Sequence, residues 1–174
     1  IGLTNVVSGL NRGRDPGGNP VGAPTEFVVG VALNQGAVDQ EREAGRFKWK
    51  AEAGADFAVS QPVFDADALE AFLERTAATP LPVVAGIWPF LNARNAEFLA
   101  NEVPGVVVPS VLVDRMRAAE ESGAEAAVSE GVAIALEMIE AVTPLVAGFH
   151  LGAPAGRVDL ALRVLRESGV RTTA

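Results

Sequence analysis

Residues 46–67, RFKWKAEAGADFAVSQPVFDAD, decide the fold. Phe47 and Ala51 stand four apart, on one face of a helix. Gly54 follows where a helix commonly ends, since glycine accepts a positive φ without a Cβ clash. Phe57 to Gln61 is a short apolar run, the pattern of a parallel strand covered by other elements. Pro62 cannot donate to a sheet ladder and is expected to close the strand after Gln61. Asp65 then reads as the N-cap of a helix with Leu69, Phe72 and Leu73 inward. Helix, turn, strand and helix in this order place Gln61 at the carboxyl end of a parallel strand, where α/β folds hold ligands.

The same pattern repeats on both sides. Ile1 to Leu10 has helical spacing, and residues 11–24, rich in Gly, Pro and Asn, read as a loop. Gly13, Gly17 and Gly18 match neither dinucleotide nor nucleotide-triphosphate loop spacing, and no strand precedes them. Phe27 to Leu33 is the first expected strand, with Asn34, Gln35 and Gly36 at its carboxyl end, and residues 39–53 form its helix. The second unit spans 57–75 and the third 82–101. Residues 106–108 sit between Pro104 and Pro109 and read as a loop. Helices are expected over 111–121 and 124–141, a last strand over 145–151 and a last helix over 157–168. The first three strands recur at about thirty-residue intervals, as βα units require. Four such units make half of a (β/α)8 barrel of about 250 residues. Periodicity alone equally allows a small open parallel sheet of flavodoxin type.

Composition narrows the function classes. The 174 residues are 49% hydrophobic, enough for one domain with a sizeable core. A formal net charge of −8 argues against nucleic acid or an anionic membrane as partner. No apolar run approaches the ~20 residues that cross a bilayer, and no signal peptide opens the chain. There is no Cys, which excludes disulfides, thiolate metal sites and a Cys nucleophile, and a reducing cytoplasm is the expected compartment. His150 is the only His, so no two-His metal site exists. Asp65 and Asp67 are explained as a cap and a first-turn acid rather than as a catalytic pair. His150 reads as a structural residue near the end of the last strand, and Trp88 and Phe90, after the third, suit either core packing or stacking on a flat ligand.

The stretch KAEAGADFAVSQPVFD resembles a segment of the methylenetetrahydrofolate reductases, written roughly K-x-x-A-G-A-x-x-x-x-[TS]-Q-x-x-F/Y-D. Its flanks, residues 5–34 and 94–109, are similar to the reductase half of two-domain homocysteine methyltransferase/methylenetetrahydrofolate reductase proteins. The resemblance implies the half barrel, as the C-terminal half with strands five to eight. Residues 1–10 would be helix four, 27–53, 57–75, 82–101 and 145–168 the four units, and 111–141 extra helices. It implies a flavoprotein that uses FAD and NAD(P)H to reduce 5,10-methylenetetrahydrofolate in one-carbon and methionine metabolism. By that resemblance Gln61 contacts the folate, whose edge a planar amide can match. Lys50 matches the family's Lys near the FAD phosphates, Glu43 an acid near its ribose, and Asn34 joins them on the cofactor side. Glu43 and Lys50 are seven apart, two turns along one helical face; read without the resemblance they are a solvated charged face.

This chain departs from the family at the last strand, which continues Leu151-Gly152-Ala153-Pro154, and at Ala93, where an aromatic is usual. The family's catalytic Glu belongs to the first barrel strand, so no catalytic residue is assigned here. The chain is expected to need an N-terminal half barrel, or a further copy, to cover its sheet edges. The competing readings are a folate-binding or scaffold module without catalysis and, last, a lyase using Lys50 as a Schiff-base amine. Against the lyase, Lys50 lies on a helix and not at a strand end.

Overall fold

The computed structural model describes residues 1–170. A helix α1 (Gly2–Asn11) is followed by β1 (Gly30–Leu33), α2 (Gln40–Glu52), β2 (Phe57–Pro62), α3 (Ala66–Arg75), β3 (Val83–Ile87) and α4 (Ala93–Glu102). Then come α5 (Ser110–Glu121), α6 (Ala124–Val142), β4 (Gly148–Leu151) and α7 (Val158–Glu167). Three helices open on side-chain caps: Asp39 accepts from the Arg42 N–H, Asp65 from that of Ala68 and Asn92 from that of Asn95. Each satisfies an amide that the helix itself leaves unpaired. Gly54 has φ of +99° and turns the chain out of α2, and a Cβ there would run into Ser8 of α1.

All four strands are parallel, in the order β1-β2-β3-β4. Each strand therefore lies beside its predecessor, with no point at which the order reverses. That removes the flavodoxin arrangement, whose order must switch, and leaves the barrel-like one. Among the described residues β1 and β4 are each paired on one side only.

The two pleats of the sheet differ. Leu33, Ala58, Val83, Ala85 and Ile87 are buried, and they pack with Phe47, Phe72, Leu69, Val142 and Val164 from the helices. The register puts Gly30, Ala32, Phe57, Val59, Val84, Gly148 and His150 on the opposite pleat. None of these belongs to a buried cluster, and Gly30, Ala32 and His150 are exposed. An apolar pleat without a helical cover is unusual for a parallel sheet, which is normally protected on both faces. Phe57 and Phe72 show how the sides diverge: Phe57 lies over Gly30 on the bare side, while Phe72 meets Phe47 edge-to-face at 5.6 Å on the packed side.

A second core forms beyond the sheet. Phe64 and Phe90 stack at 4.5 Å, and α4, α5 and α6 close around them with Ala96, Met116 and Ile134. Gly131 lets α6 rest on the Phe90 backbone, where a Cβ would collide with the carbonyl. Arg115 ties α5 to α6 by a fork of two 2.7 Å bonds to Glu137 and one of 2.7 Å to Glu130.

Several boundaries differ from expectation for local reasons. The first strand starts at Gly30 and not at Phe27, because Asn11 of α1 holds Phe27 instead: its Oδ1 accepts from the Phe27 N–H and its Nδ2 donates to the Phe27 carbonyl. The second strand runs through Pro62, because the register shifts between Val59 and Pro62 and the missing N–H falls at that bulge. The last strand starts at Gly148, because Thr143–Leu145 extends α6 as a 3-10 turn in which the Thr143 hydroxyl donates to the Ile139 carbonyl.

Candidate functional site

Around the carboxyl ends of β1 and β2 the fold buries the polar side chains of Gln35, Glu43, Lys50 and Ser60. Glu43 and Lys50 are both 9% exposed, on the face of α2 that turns toward β1. Lys50 Nζ donates to the Ala32 carbonyl at 2.7 Å and lies 3.1 Å from Glu43 Oε1. The same Oε1 accepts from the Asn34 N–H at 3.3 Å, and Oε2 pairs with Arg46 at 3.3 Å. Lys50 thus commits two of its three N–H bonds. The solvated-face reading of this pair is corrected here: a charge withdrawn from water needs a partner, and each supplies the other's. Beside Glu43 a hollow of about 230 Å³ is lined by Ala37, Asp39, Arg42 and Arg46.

Asn34 belongs to the same corner. Its Oδ1 accepts from the Gly36 N–H at 3.0 Å. Its carboxamide lies against Gly105, whose φ is +83° and whose Cβ would strike it. A Cβ on Gly36 would likewise meet the Gly105 carbonyl at 2.8 Å and Val107 at 2.9 Å. So the loop of residues 103–109 folds back over the end of β1. Sequence reading placed this loop but not its destination, and the only signal was Gly105 within a Pro-bracketed apolar run.

Gln61 stands on the bulge at the end of β2, half buried, and its carboxamide makes no hydrogen bond among the described residues. Its backbone carbonyl is held twice, by the Ser60 hydroxyl at 2.8 Å and by Gln35 Nε2 at 3.0 Å. Gln35 Nε2 also donates to the Pro62 carbonyl at 3.2 Å. Gln35 is 6% exposed, and its Oε1 has no partner among the described residues. Sequence reading passed over Gln35, because nothing in an Asn-Gln-Gly turn distinguishes a bridging amide from a solvated one.

The other candidates separate. Phe90 is fully buried in the second core, which assigns it to packing. Trp88 is half buried, with its ring against Gly152 at the end of β4 and its Nε1 without a partner. His150 is exposed on the bare pleat and makes no hydrogen bond among the described residues, which overturns its reading as a satisfied structural histidine. Asp65 caps α3, and Asp67 is exposed in its first turn. Among the described residues no group of three or more His, Asp or Glu could hold a metal ion, and no helix is long and apolar enough to cross a membrane.

Comparison with known proteins adds three findings. A sequence model of the family described as methylenetetrahydrofolate reductase matches residues 23–167. No curated protein matches the chain. Among solved structures, the chain is similar to one described as an uncharacterized protein from Clostridium thermocellum that binds two copies of 5-methyl-5,6,7,8-tetrahydrofolic acid, with a TM-score of 0.59. The two share 13% sequence identity, and the match covers 81% of this chain and 53% of that one. The chain therefore spans about half the length of that structure, and at this identity the likeness speaks for the fold.

Proposed function

The chain belongs to the methylenetetrahydrofolate reductase family, and on that premise we propose that it supplies the folate-binding side of an FAD-dependent reductase. The reaction is reduction of 5,10-methylenetetrahydrofolate to 5-methyltetrahydrofolate with NAD(P)H. In this reading the four strands are strands five to eight of a (β/α)8 barrel. Residues 1–10 are its fourth helix, 27–53, 57–75, 82–101 and 145–168 its last four units, and 111–141 an added helical pair. An N-terminal half barrel then covers the bare pleat and pairs with β1 and β4; a second copy of this chain is the alternative cover.

The observation that carries the reading is Gln61. Its unengaged carboxamide stands at the carboxyl end of a parallel strand, where barrels place their ligands. An amide presents donor and acceptor in one plane, as the edge of a pterin requires.

The residues present fit part of FAD. The third N–H of Lys50 and the Arg42 and Arg46 guanidiniums suit its phosphates. Glu43 and Asn34 offer acceptors to a ribose hydroxyl. The hollow of about 230 Å³ falls below the range of whole-ligand pockets, so these residues form one wall of such a site. When bound, the flavin supplies the hydride chemistry. The chain's own residues bind and orient: Gln61 the folate, Lys50 with Glu43 and Asn34 the cofactor. No proton transfer is assigned to any of them.

The test is a flavin titration of the purified chain beside a version extended upstream by half a barrel, followed by absorbance. The expected result is that only the extended protein turns yellow and oxidises NAD(P)H when folate substrate is added. If the extended protein folds and stays colourless, the flavin claim fails. A second reading then stands, a folate-binding module without redox chemistry. It is favoured by the similar structure, which is described by the folate it binds, and titration with 5-methyltetrahydrofolate would test it.

A further inference from the structure

We propose that Gln35 is a positioning residue: its buried carboxamide holds the bulged backbone at Gln61 and thereby aims the Gln61 side chain at the folate. This rests on the reading of Gln61 just given and extends it to a residue on the neighbouring strand.

The ladder between β1 and β2 ends at the pair Leu33 and Ser60. Two more regular steps would set Gln35 opposite Pro62, but no backbone pair forms there. The register of β2 against β3 shifts between Val59 and Pro62, and Pro62 has no N–H to donate. Side chains take over the ladder's work. The Ser60 hydroxyl accepts from the Gly86 N–H at 2.8 Å and donates to the Gln61 carbonyl at 2.8 Å. Gln35 Nε2 donates to the carbonyls of Gln61 and Pro62, at 3.0 and 3.2 Å. Gln35 is held in turn by Gln40, whose Nε2 donates to the carbonyls of Gln35 and Ala37, both at 2.8 Å.

The arrangement is costly for a merely space-filling residue. Gln35 is 94% buried, by difference from its 6% exposure, and its Oε1 is left without a partner among the described residues. A buried unpaired acceptor destabilises the fold, and an apolar side chain of similar size would avoid it. What the amide contributes is two donors at the one place where β2 departs from regular geometry. A bulge re-aims the side chain it carries. The side chain carried here is Gln61, and fixing its carbonyl fixes the direction of its Cα–Cβ bond.

The experiment is a double-mutant cycle in the version extended upstream by half a barrel. Binding of 5-methyltetrahydrofolate and of FAD is measured for wild type, Gln35→Met, Gln61→Ala and the double variant. Gln35→Met keeps the length and removes both donors. The expected result is about tenfold weaker folate binding for Gln35→Met, the scale of a lost hydrogen bond, with flavin affinity unchanged. In the Gln61→Ala background the same substitution should change folate binding by less than about twofold, the margin within which a free-energy change counts as none. Ser60→Ala, which removes the other donor to the Gln61 carbonyl, should show the same pattern and serves if Gln35→Met does not fold. Equal loss in both backgrounds, or equal loss of folate and flavin, would overturn the proposal. So would unchanged folate binding in Gln35→Met while Gln61→Ala weakens it, and the reading of Gln61 would then survive. If Gln61→Ala itself leaves folate binding unchanged, that earlier reading fails first.

Discussion

Lys50 Nζ lies 3.1 Å from Glu43 Oε1, two helical turns away on α2, and the two form a largely buried ion pair. Arg46 and the Asn34 N–H share the carboxylate. The pair therefore joins α2 to the end of β1 as well as neutralising itself.

Removing one partner should cost more than removing both. Lys50→Ala leaves Glu43 buried with Arg46 and the Asn34 N–H, each at 3.3 Å, and a loss of about 3–5 kcal/mol is expected from breaking a buried ion pair. The double variant Lys50→Met/Glu43→Leu should recover most of it. Urea unfolding of wild type and these two variants checks this. A loss under about 1 kcal/mol for Lys50→Ala, the scale of an exposed pair, would mean that the pair does not stabilise the fold.

Two glycines in helices should respond oppositely to alanine. A Cβ at Gly131 meets the Phe90 carbonyl, so Gly131→Ala should destabilise by about 1–3 kcal/mol through overpacking. Gly45 in α2 has open space around its missing Cβ, and Gly45→Ala should stabilise by up to about 1 kcal/mol through helix propensity. Thermal denaturation of both variants measures the signs directly.

The bare pleat yields a test of what covers it. Val84 faces it from β3 and is half buried. Val84→Asp should change the stability of the chain alone by less than about 1 kcal/mol, since the carboxylate can reach water. In a version extended by the N-terminal half the same change should cost about 3 kcal/mol or more, because the charge is then enclosed. Equal effects in the two proteins would show that the pleat remains open.

The Arg115–Glu137 contact predicts a pH dependence. Hydrogen bonding to Arg115 holds the Glu137 carboxyl below its ordinary 4.5. A lowered folded value means that the stabilisation is complete above the unfolded value and is lost as pH falls through the lower folded one. Glu137 is 48% exposed, so solvent screening limits the contact to about 0.5–1 kcal/mol. Glu137→Gln should thus be less stable than wild type by that amount at neutral pH. The gap should close as pH drops below 4.5, which denaturation at a series of acid pH values would show.

The elements legible in the sequence were those with a local cause. Asp65 caps α3 because a short side-chain oxygen reaches the third amide onward. The strand at Phe57 and the turn at Gly54 depend on neighbours within a few residues. Where boundaries differed, a distant residue had intervened: Asn11 holds Phe27, sixteen positions on, and so takes it out of β1. His150 shows the same limit, since its exposure depends on a pleat that no helix of the described chain covers.

By itself, the sequence determined the alternation of strands and helices, the absence of thiol chemistry, and the resemblance of residues 50–65 and their flanks to a known family. These follow from local propensity, hydrophobic period and residue identity, all of which are written along the chain. Only the tertiary structure decided that the strands lie in sequential order, that Lys50 and Glu43 bury each other, and that Gln35 bridges to Gln61 across 26 positions. Such contacts arise when helices pack and a bulge leaves carbonyls unpaired. A buried amide and an exposed one are the same letter until the chain folds around it.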